Sequence, residues 1–205
     1  MDLAAHSALA ECRKGEPIWL RGDQVSFFGL VGEGFVKMTK SHASGTEVTL
    51  EIMGPGQIFG MLGVIEGQGC PLTAYGLTHA IYLKIRKTAF TDIYANNHVL
   101  KDRLLRKTAM RVHQTLDLMA KLSTGRASER IAVILFILAE SYGRREGKSI
   151  RIDLPLTRQQ LGEMAGTTTE TTIRTLSKWA QEHLVETEDQ FITLLDPGLL
   201  EKKLH

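Results

Sequence analysis

The segment TRQQLGEMAGTTTETTIRTLSKW, residues 157–179, has two short runs with helical spacing on either side of Gly166. Thr157 and Thr168 stand where helix N-caps are expected, and Gly166 can take the positive φ that ends a helix. Gly162 is small at the point where a second helix would cross the first. Two short helices joined by such a turn predict a helix-turn-helix motif.

The second helix of this motif presents its outward side chains at its N-terminal end, which enters the DNA major groove in such proteins. An arginine can pair with guanine, a glutamate can accept from cytosine, and Thr or Ile methyls can meet the thymine methyl. The other threonines then serve as caps and phosphate ligands, while Leu176 and Trp179 face inward. A helical hairpin with capping hydroxyls and solvated charges is the alternative. The predicted outward residues are Thr169, Glu170, Ile173, Arg174 and Lys178.

The regions before this motif indicate a β domain followed by a long helix. Short β-branched and aromatic runs separated by Gly-rich or polar turns predict a sandwich or barrel within the first ninety residues. The runs are PIWLRG, VSFFGLVG, GFVKMTK, EVTLEIM, LTAYGLT and AIYLKI. The spacing then becomes helical from about Asn97 to Leu122.

The apolar stripe of the long helix is too extensive for a small β domain to cover. We therefore predict a coiled-coil homodimer; a helix packed entirely on its own β domain is the alternative. The residues predicted in the interface are Leu104, Val112, Leu116 and Met119.

The C-terminal segments complete a small α domain. SERIAVILFILAESYG predicts a helix capped by Ser123 or Thr124 and ending at Gly143, and RREGKSIRIDLP predicts a loop and a short strand. LVETEDQFITLL reads as a β-ribbon turning at residues 188–190, and DPGLLEKKL as a final helix. A ribbon after a helix-turn-helix is a wing, which favours DNA binding.

Composition and charge limit the classes of function. The 205 residues are 43% hydrophobic with a net charge of +2, and residues 150–205 hold six Lys or Arg against nine Asp or Glu. This acidic balance supports an alternative in which a sensor module binds a protein rather than DNA. Neither a membrane span nor a signal peptide is expected, and two isolated cysteines fit a reducing cytoplasm. No P-loop, metal-ligand set or nucleophile–base spacing predicts an enzyme.

The whole pattern resembles the catabolite activator (CRP)/FNR superfamily of bacterial transcription regulators. LTRQQLGEMAGTTTETTIRTLSKW is similar to the family's TRxxIGxxxGxxxETxxRxLxxL, GPGQIFGMLGVIEG to its β-roll turn and short helix, and ASERIAVILFIL to the first helix of its C-terminal domain. The resemblance implies an α+β fold with an effector-sensing, cyclic-nucleotide-binding-like β-roll (jelly roll) over 1–95, a dimerisation helix over 96–123 and a winged helix-turn-helix over 124–205. It also implies that a dimer binds an inverted repeat of double-stranded DNA and contacts RNA polymerase.

Carried over residue by residue, the resemblance assigns roles within the motif. Glu170 and Arg174 match the base-reading pair, while Arg158, Thr168 and Thr171 match phosphate contacts, beside the cap Thr157. Thr169 replaces a base-reading Arg of the cyclic-AMP-responsive members, and Ile173 replaces their Gly. One base-pair preference is therefore expected to be lost or changed.

The sensor half departs from the family's nucleotide pocket. Met61 replaces the ribose-binding Glu, and Pro71 and Leu72 replace the phosphate-binding Arg-Ser pair. A buried phosphate without a cation or hydroxyl partner is very costly, so we do not expect a cyclic nucleotide to bind. The expected apolar pocket consists of Met61, Leu62, Leu72, Thr115 and Leu116, where Thr115 matches a base-contacting Thr and Leu116 replaces a Ser.

The effector itself is not identified by the sequence. It could be a hydrophobic or haem-like molecule, or none. His79, His98 and His113 are the candidate haem ligands, with surface or satisfied histidines as the alternative. Cys12 and Cys70 could sense oxidants, with inert thiols as the alternative.

Overall fold

The computed structural model describes residues 6–41, 47–67 and 69–202, apart from the side chains at positions 111, 114, 117, 118, 121, 122 and 124. The chain divides into two compact units, Met1–Arg111 and Val112–His205. The boundary between the units falls inside one long helix, His98–Thr124, and the two units are described in turn.

The first unit is built from two antiparallel sheets of four strands each, with orders β1-β8-β3-β6 and β2-β7-β4-β5. The strands are β1 Ser7–Cys12, β2 Pro17–Trp19, β3 Phe27–Glu33, β4 Val36–Ser41, β5 Glu47–Met53, β6 Ile58–Phe59, β7 Thr73–Gly76 and β8 Ala80–Arg86. The helices are α1 Met61–Glu66, α2 Lys87–Asn96 and α3 His98–Thr124, of which α3 continues into the second unit. The predicted β domain is confirmed, and each of its six predicted runs contains a strand.

The core of the first unit draws on both sheets. Val31 and Tyr82 from one sheet and Met38 and Ala74 from the other belong to a single buried cluster. Burial of these apolar side chains is the main stabilising term for a sheet pair of this size. HASGT, residues 42–46, is one of the polar turns expected between the β runs, and it lies outside the described residues.

A second apolar cluster joins the sheet of β3 and β8 to α2. Phe28 and Phe90 meet edge to face with ring centroids 5.1 Å apart, and Val64 and Ile85 complete the buried set. Leu104 of α3 packs against this cluster. Leu104 therefore covers the β-roll of its own chain, whereas Val112, Leu116 and Met119 are exposed.

The second unit is a small helical domain with one antiparallel sheet of order β11-β12-β10-β9. Helix α4 supplies its core with a buried face that includes Ile131, Leu135 and Leu138, and it packs against α5, α6, β9 and β10. The elements are α4 Ala127–Tyr142, β9 Gly143–Glu146, β10 Ser149–Ile152, α5 Arg158–Met164, α6 Thr169–Gln181, β11 Val185–Glu188, β12 Phe191–Leu194 and α7 Pro197–Lys202.

Two local predictions in this unit are wrong. Helix α4 is not capped by Ser123 or Thr124, because α3 continues to Thr124; the Arg126 N–H instead donates to the Glu129 carboxylate at 3.0 Å. The predicted loop after Gly143 contains strand β9, which pairs with β10 from Gly143 to Glu146. All four residues of β9 are exposed, so main-chain pairing forms the strand without any apolar pattern.

Candidate nucleic-acid interface

The first helix of the motif, α5, begins with a complete capping box. Thr157 Oγ1 accepts from the Gln160 N–H at 3.2 Å, and Gln160 Oε1 accepts from the Thr157 N–H at 2.9 Å. These bonds satisfy donors that have no partner inside the helix. Leu161 is fully buried and anchors the helix.

The turn between the helices depends on two glycines. Gly166 has φ 60°, the left-handed conformation that closes α5. A Cβ on Gly162 would lie 2.8 Å from Thr172 Oγ1 and 3.1 Å from Thr167 O, so only glycine lets α6 approach this closely. The Thr167 N–H donates to Gly162 O at 2.8 Å and closes the turn.

The threonines of α6 have two different structural tasks. Thr168 is the N-cap: its Oγ1 accepts from the Thr171 N–H at 3.2 Å and donates to Thr171 Oγ1 at 3.0 Å. Thr172 is fully buried, and its hydroxyl donates to Thr168 O at 3.0 Å. A buried position that would suit a valine thus accepts the Thr172 hydroxyl, because a backbone carbonyl one turn earlier is within reach.

Five exposed side chains of α6 form one surface, which we call the reading face and define as Thr169, Glu170, Ile173, Arg174 and Lys178. Leu176 and Trp179 are buried on the opposite side. Glu170, Arg174 and Lys178 follow one another at four-residue intervals, so they share one row of the helix. Arg158, in the first turn of α5, is half-buried on the other helix of the motif.

The predicted ribbon is the hairpin β11–β12, with Asp189 at φ 51° in its turn. Gln190 O accepts from the Leu156 N–H at 2.8 Å, which ties the hairpin turn to the residue before the Thr157 cap. Arg151 lies 3.9 Å from Glu188 and over the Phe191 ring at 4.9 Å. The wing is acidic, since its strands and turn carry Glu186, Glu188 and Asp189, and Glu188 faces Arg151 of the neighbouring strand β10. Helices α5 and α6 bring the cations Arg158, Arg174 and Lys178 to the motif.

The predicted effector residues fall into both units. Met61 and Leu72 are half-buried and Leu62 is exposed in the first unit, whereas Thr115 and Leu116 are exposed on the part of α3 that belongs to the second. The pocket that combines all five stays a prediction.

Sequence reasoning missed Trp19, which contacts both segments of the β-roll that the resemblance aligns with the family's nucleotide pocket, near Met61 and at Leu72. Its Nε1–H donates to Leu72 O at 3.0 Å, and its ring stacks on Phe59 with centroids 5.3 Å apart. A Cβ on Gly60, the residue before Met61, would lie 2.4 Å from Trp19 Cη2. Because Trp19 is distant in sequence from both Gly60 and Leu72, no local sequence pattern indicates these contacts.

The candidate haem ligands are exposed histidines, and the candidate oxidant sensors are buried cysteines. His79 Nε2 lies 3.3 Å from a Glu11 carboxylate oxygen, and His98 and His113 are exposed. Cys12 and Cys70 are buried, and burial raises the pKa of both thiols. Within the described ranges, no group of three or more His, Cys, Asp or Glu side chains could hold a metal ion. In the same ranges, no helix combines the length and apolar character that a membrane span needs.

Comparisons with known proteins agree with this geometry. Residues 9–97 match the cyclic nucleotide-binding domain family, and residues 129–203 match the Crp-like helix-turn-helix domain family. The CRP-like cAMP-activated global transcriptional regulator of Mycobacterium tuberculosis is 24% identical over 93% of this chain and 85% of its own length. Transcriptional activator protein FnrA of Stutzerimonas stutzeri is 25% identical over 90% of this chain and 75% of its own. The structure of FixK2 from Bradyrhizobium japonicum superposes with a TM-score of 0.84, 21% identity and 96% coverage of both chains.

A β-roll followed by a winged helix-turn-helix with a capped, exposed recognition helix defines a DNA-binding transcription regulator. The chain belongs to the CRP/FNR superfamily of such regulators. The predicted family, fold class and regulatory function are thereby confirmed. The relatives compared are transcription regulators, not enzymes.

Proposed function

We propose that this protein is a homodimeric, sequence-specific regulator that binds an inverted repeat and is not controlled by a cyclic nucleotide. The reading face of α6 carries the proposal, because its charged and methyl-bearing side chains are exposed at the N-terminal half of a capped helix. The functional division into residues 1–95, 96–123 and 124–205 is part of the same proposal.

The reading face supports distinct roles for its members. Arg174 reads guanine and Glu170 the cytosine of a neighbouring pair, within a TGA-like core that the family resemblance implies. The positive end of α6 and the hydroxyls of Thr168 and Thr171 suit phosphates. Arg158 and Thr157 at the start of α5 contact the backbone, which compensates for the acidic wing.

The contrast between Arg174→Ala and Arg158→Ala tests this assignment by binding-site selection and by titration at several salt concentrations. Arg174→Ala should cost about 1–3 kcal/mol per half-site and relax the preference at one base pair. Arg158→Ala should weaken binding evenly across sequences and reduce the salt slope by about one per half-site. Equal, sequence-blind losses for both variants would refute the reading role and favour a protein-binding domain instead.

Exposed apolar side chains on α3 support the dimer. Val112, Leu116 and Met119 are spaced by four and three residues, and Leu105 precedes Val112 by seven. This is the heptad spacing of a coiled-coil seam. Because Leu104 packs on its own β-roll, Leu105 takes its place in the proposed interface.

Trp19 supports independence from cyclic nucleotides. Its buried indole lies against Gly60 and bonds to the carbonyl of Leu72, beside the positions where nucleotide-responsive relatives hold ribose and phosphate. Neither Met61 nor Leu72 offers a cation or hydroxyl to a phosphate. Isothermal titration should detect no binding of cyclic AMP or cyclic GMP at physiological concentration, and micromolar binding of either would contradict the proposal.

RNA polymerase is the further partner we propose, in the cytoplasm, because two relatives are named as activated or activating regulators. Transcription from a promoter bearing the selected site, in purified components, tests it. A complex on DNA that leaves the polymerase footprint and the transcript level unchanged would contradict this partner.

A further inference from the structure

One guanidinium joins three separate parts of the second unit. Arg130, on α4, donates from Nε to Ala165 O at 2.8 Å, from Nη1 to Gly125 O at 2.9 Å and from Nη2 to Gly166 O at 3.0 Å. Ala165 and Gly166 end α5 and begin the turn of the helix-turn-helix, whereas Gly125 follows the last residue of α3. We call this set of bonds the Arg130 fork.

The fork matches the chemistry of its acceptors. Carbonyls at a helix C-terminus have no partner inside the helix and carry the negative end of the dipole, so a cation there is favourable. A planar guanidinium can donate hydrogen bonds from three separate nitrogens to three carbonyls at once. A lysine ammonium has all its donors on one nitrogen at the end of a flexible side chain, so it cannot hold the three carbonyls in the same way. Arg130 is half-buried, which limits competition by water.

The held carbonyls lie directly before the recognition helix. Thr168, the N-cap of α6, is the second residue after Gly166, and the Thr167 N–H between them is fixed on Gly162 O. A change in the direction of the Ala165 and Gly166 carbonyls therefore changes the direction in which α6 leaves the turn.

We propose that Arg130 is a positioning residue for base reading: it fixes the angle of α6 and ties that angle to the end of α3 through the Gly125 carbonyl. The inference rests on the proposed reading role of α6. Arg130 itself contacts neither base nor phosphate; it acts through the placement of Glu170 and Arg174.

The test compares Arg130→Met and Arg130→Lys with Arg145→Met, an exposed arginine of β9 that serves as the control. The ratio of specific to non-specific DNA affinity is measured for each full-length variant over a range of salt. Both Arg130 variants should lower the ratio by at least about tenfold, since displaced reading side chains act like a mismatched base pair. The salt slope should not change, because no phosphate contact is lost, and the control should match the unmodified protein.

Two outcomes of the DNA measurement would overturn the proposal. A normal ratio for Arg130→Lys would mean that a positive charge suffices, which is the behaviour of a phosphate contact. A salt slope reduced by about one per half-site for Arg130→Met would lead to the same conclusion.

Hydrogen exchange separates positioning from overall stability and does not depend on DNA. At a temperature where all variants are folded, the Thr167 amide should exchange faster in both Arg130 variants, while the Leu135 amide inside α4 keeps its protection. Uniformly faster exchange across the unit would mean that the fork only stabilises the fold, and would refute the proposal. If the unmodified protein shows no sequence preference, the proposed function fails, whereas the exchange result still tests the fork.

Discussion

Replacing Leu116 with Glu should abolish the dimer, and the exposure of α3 sets the expected size of the effect. Leu105, Val112, Leu116 and Met119 are 70%, 52%, 56% and 61% exposed. Complete burial of such side chains stabilises by about 1.5–3 kcal/mol, so their exposed parts can contribute about 1–2 kcal/mol each. Four such side chains on each of two helices together stabilise the proposed dimer by roughly 8–16 kcal/mol. This gain is similar to the free-energy cost of association, about 4–15 kcal/mol.

Because the energy of apolar burial exceeds the cost of association by so little, a single substitution in the interface should be enough to dissociate the dimer. Leu116→Glu removes about 2–4 kcal/mol from a symmetric dimer and brings two carboxylates together. The dissociation constant should rise by about 30- to 1000-fold or more. Sedimentation velocity over a concentration series would show this as a shift to monomer.

Met110→Glu is the matched control for this experiment. Met110 is 64% exposed on the same helix, yet it is two residues from Val112 and therefore about 160° away around the helix axis. Met110→Glu should remain dimeric. If it dissociates like Leu116→Glu, or if a Val112→Glu/Leu116→Glu chain is still a dimer, the interface lies elsewhere.

Three further outcomes are expected. Gly162→Ala should lower the unfolding free energy by about 1–3 kcal/mol in urea titration, because its Cβ overlaps Thr172 Oγ1. Ile173→Ala should cost about 1 kcal/mol per half-site at a thymine-containing position. Replacing that thymine with uracil, which lacks the methyl group, should weaken binding by the unmodified protein to the same extent and should not weaken binding by Ile173→Ala further. If the two losses of binding free energy add, Ile173 does not contact the thymine methyl. Burial raises the pKa of the Cys12 and Cys70 thiols above the usual value for cysteine, so the stability contributed by the buried neutral thiols is complete at pH values below that usual pKa. Unfolding free energy should then fall as pH rises past about 9, and a rise there would contradict the burial argument.

Local sequence signals were sufficient where short-range chemistry forms the structure. The caps Thr157 and Thr168 and the positive φ of Gly166 depend on residues within a few positions of each other. The close approach at Gly162 is to Thr172, on the next helix of the same motif. The reading face could be named for the same reason, since its exposure follows from the helical period.

Elements that depend on distant partners were not predictable in this way. Helix α2 exists because Phe90 has Phe28 to pack against, and β1 and β9 exist because β8 and β10 offer them main-chain partners. Propensity and period are weak for such segments, so tertiary contact decides their conformation.

The sequence by itself determined the order of the β region, the long helix and the helix-turn-helix, and which side chains of α6 are exposed, because each follows from the pattern of neighbouring residues. Only the tertiary structure decided that Leu104 covers its own β-roll, that Trp19 lies against Gly60 and Leu72, and that Arg130 reaches Gly125 and the turn after α5. Trp19 and Leu72 are 53 residues apart and Arg130 and Gly166 are 36 apart, and no local period specifies which distant groups meet. Burial and hydrogen bonding select those pairs only once the chain is folded.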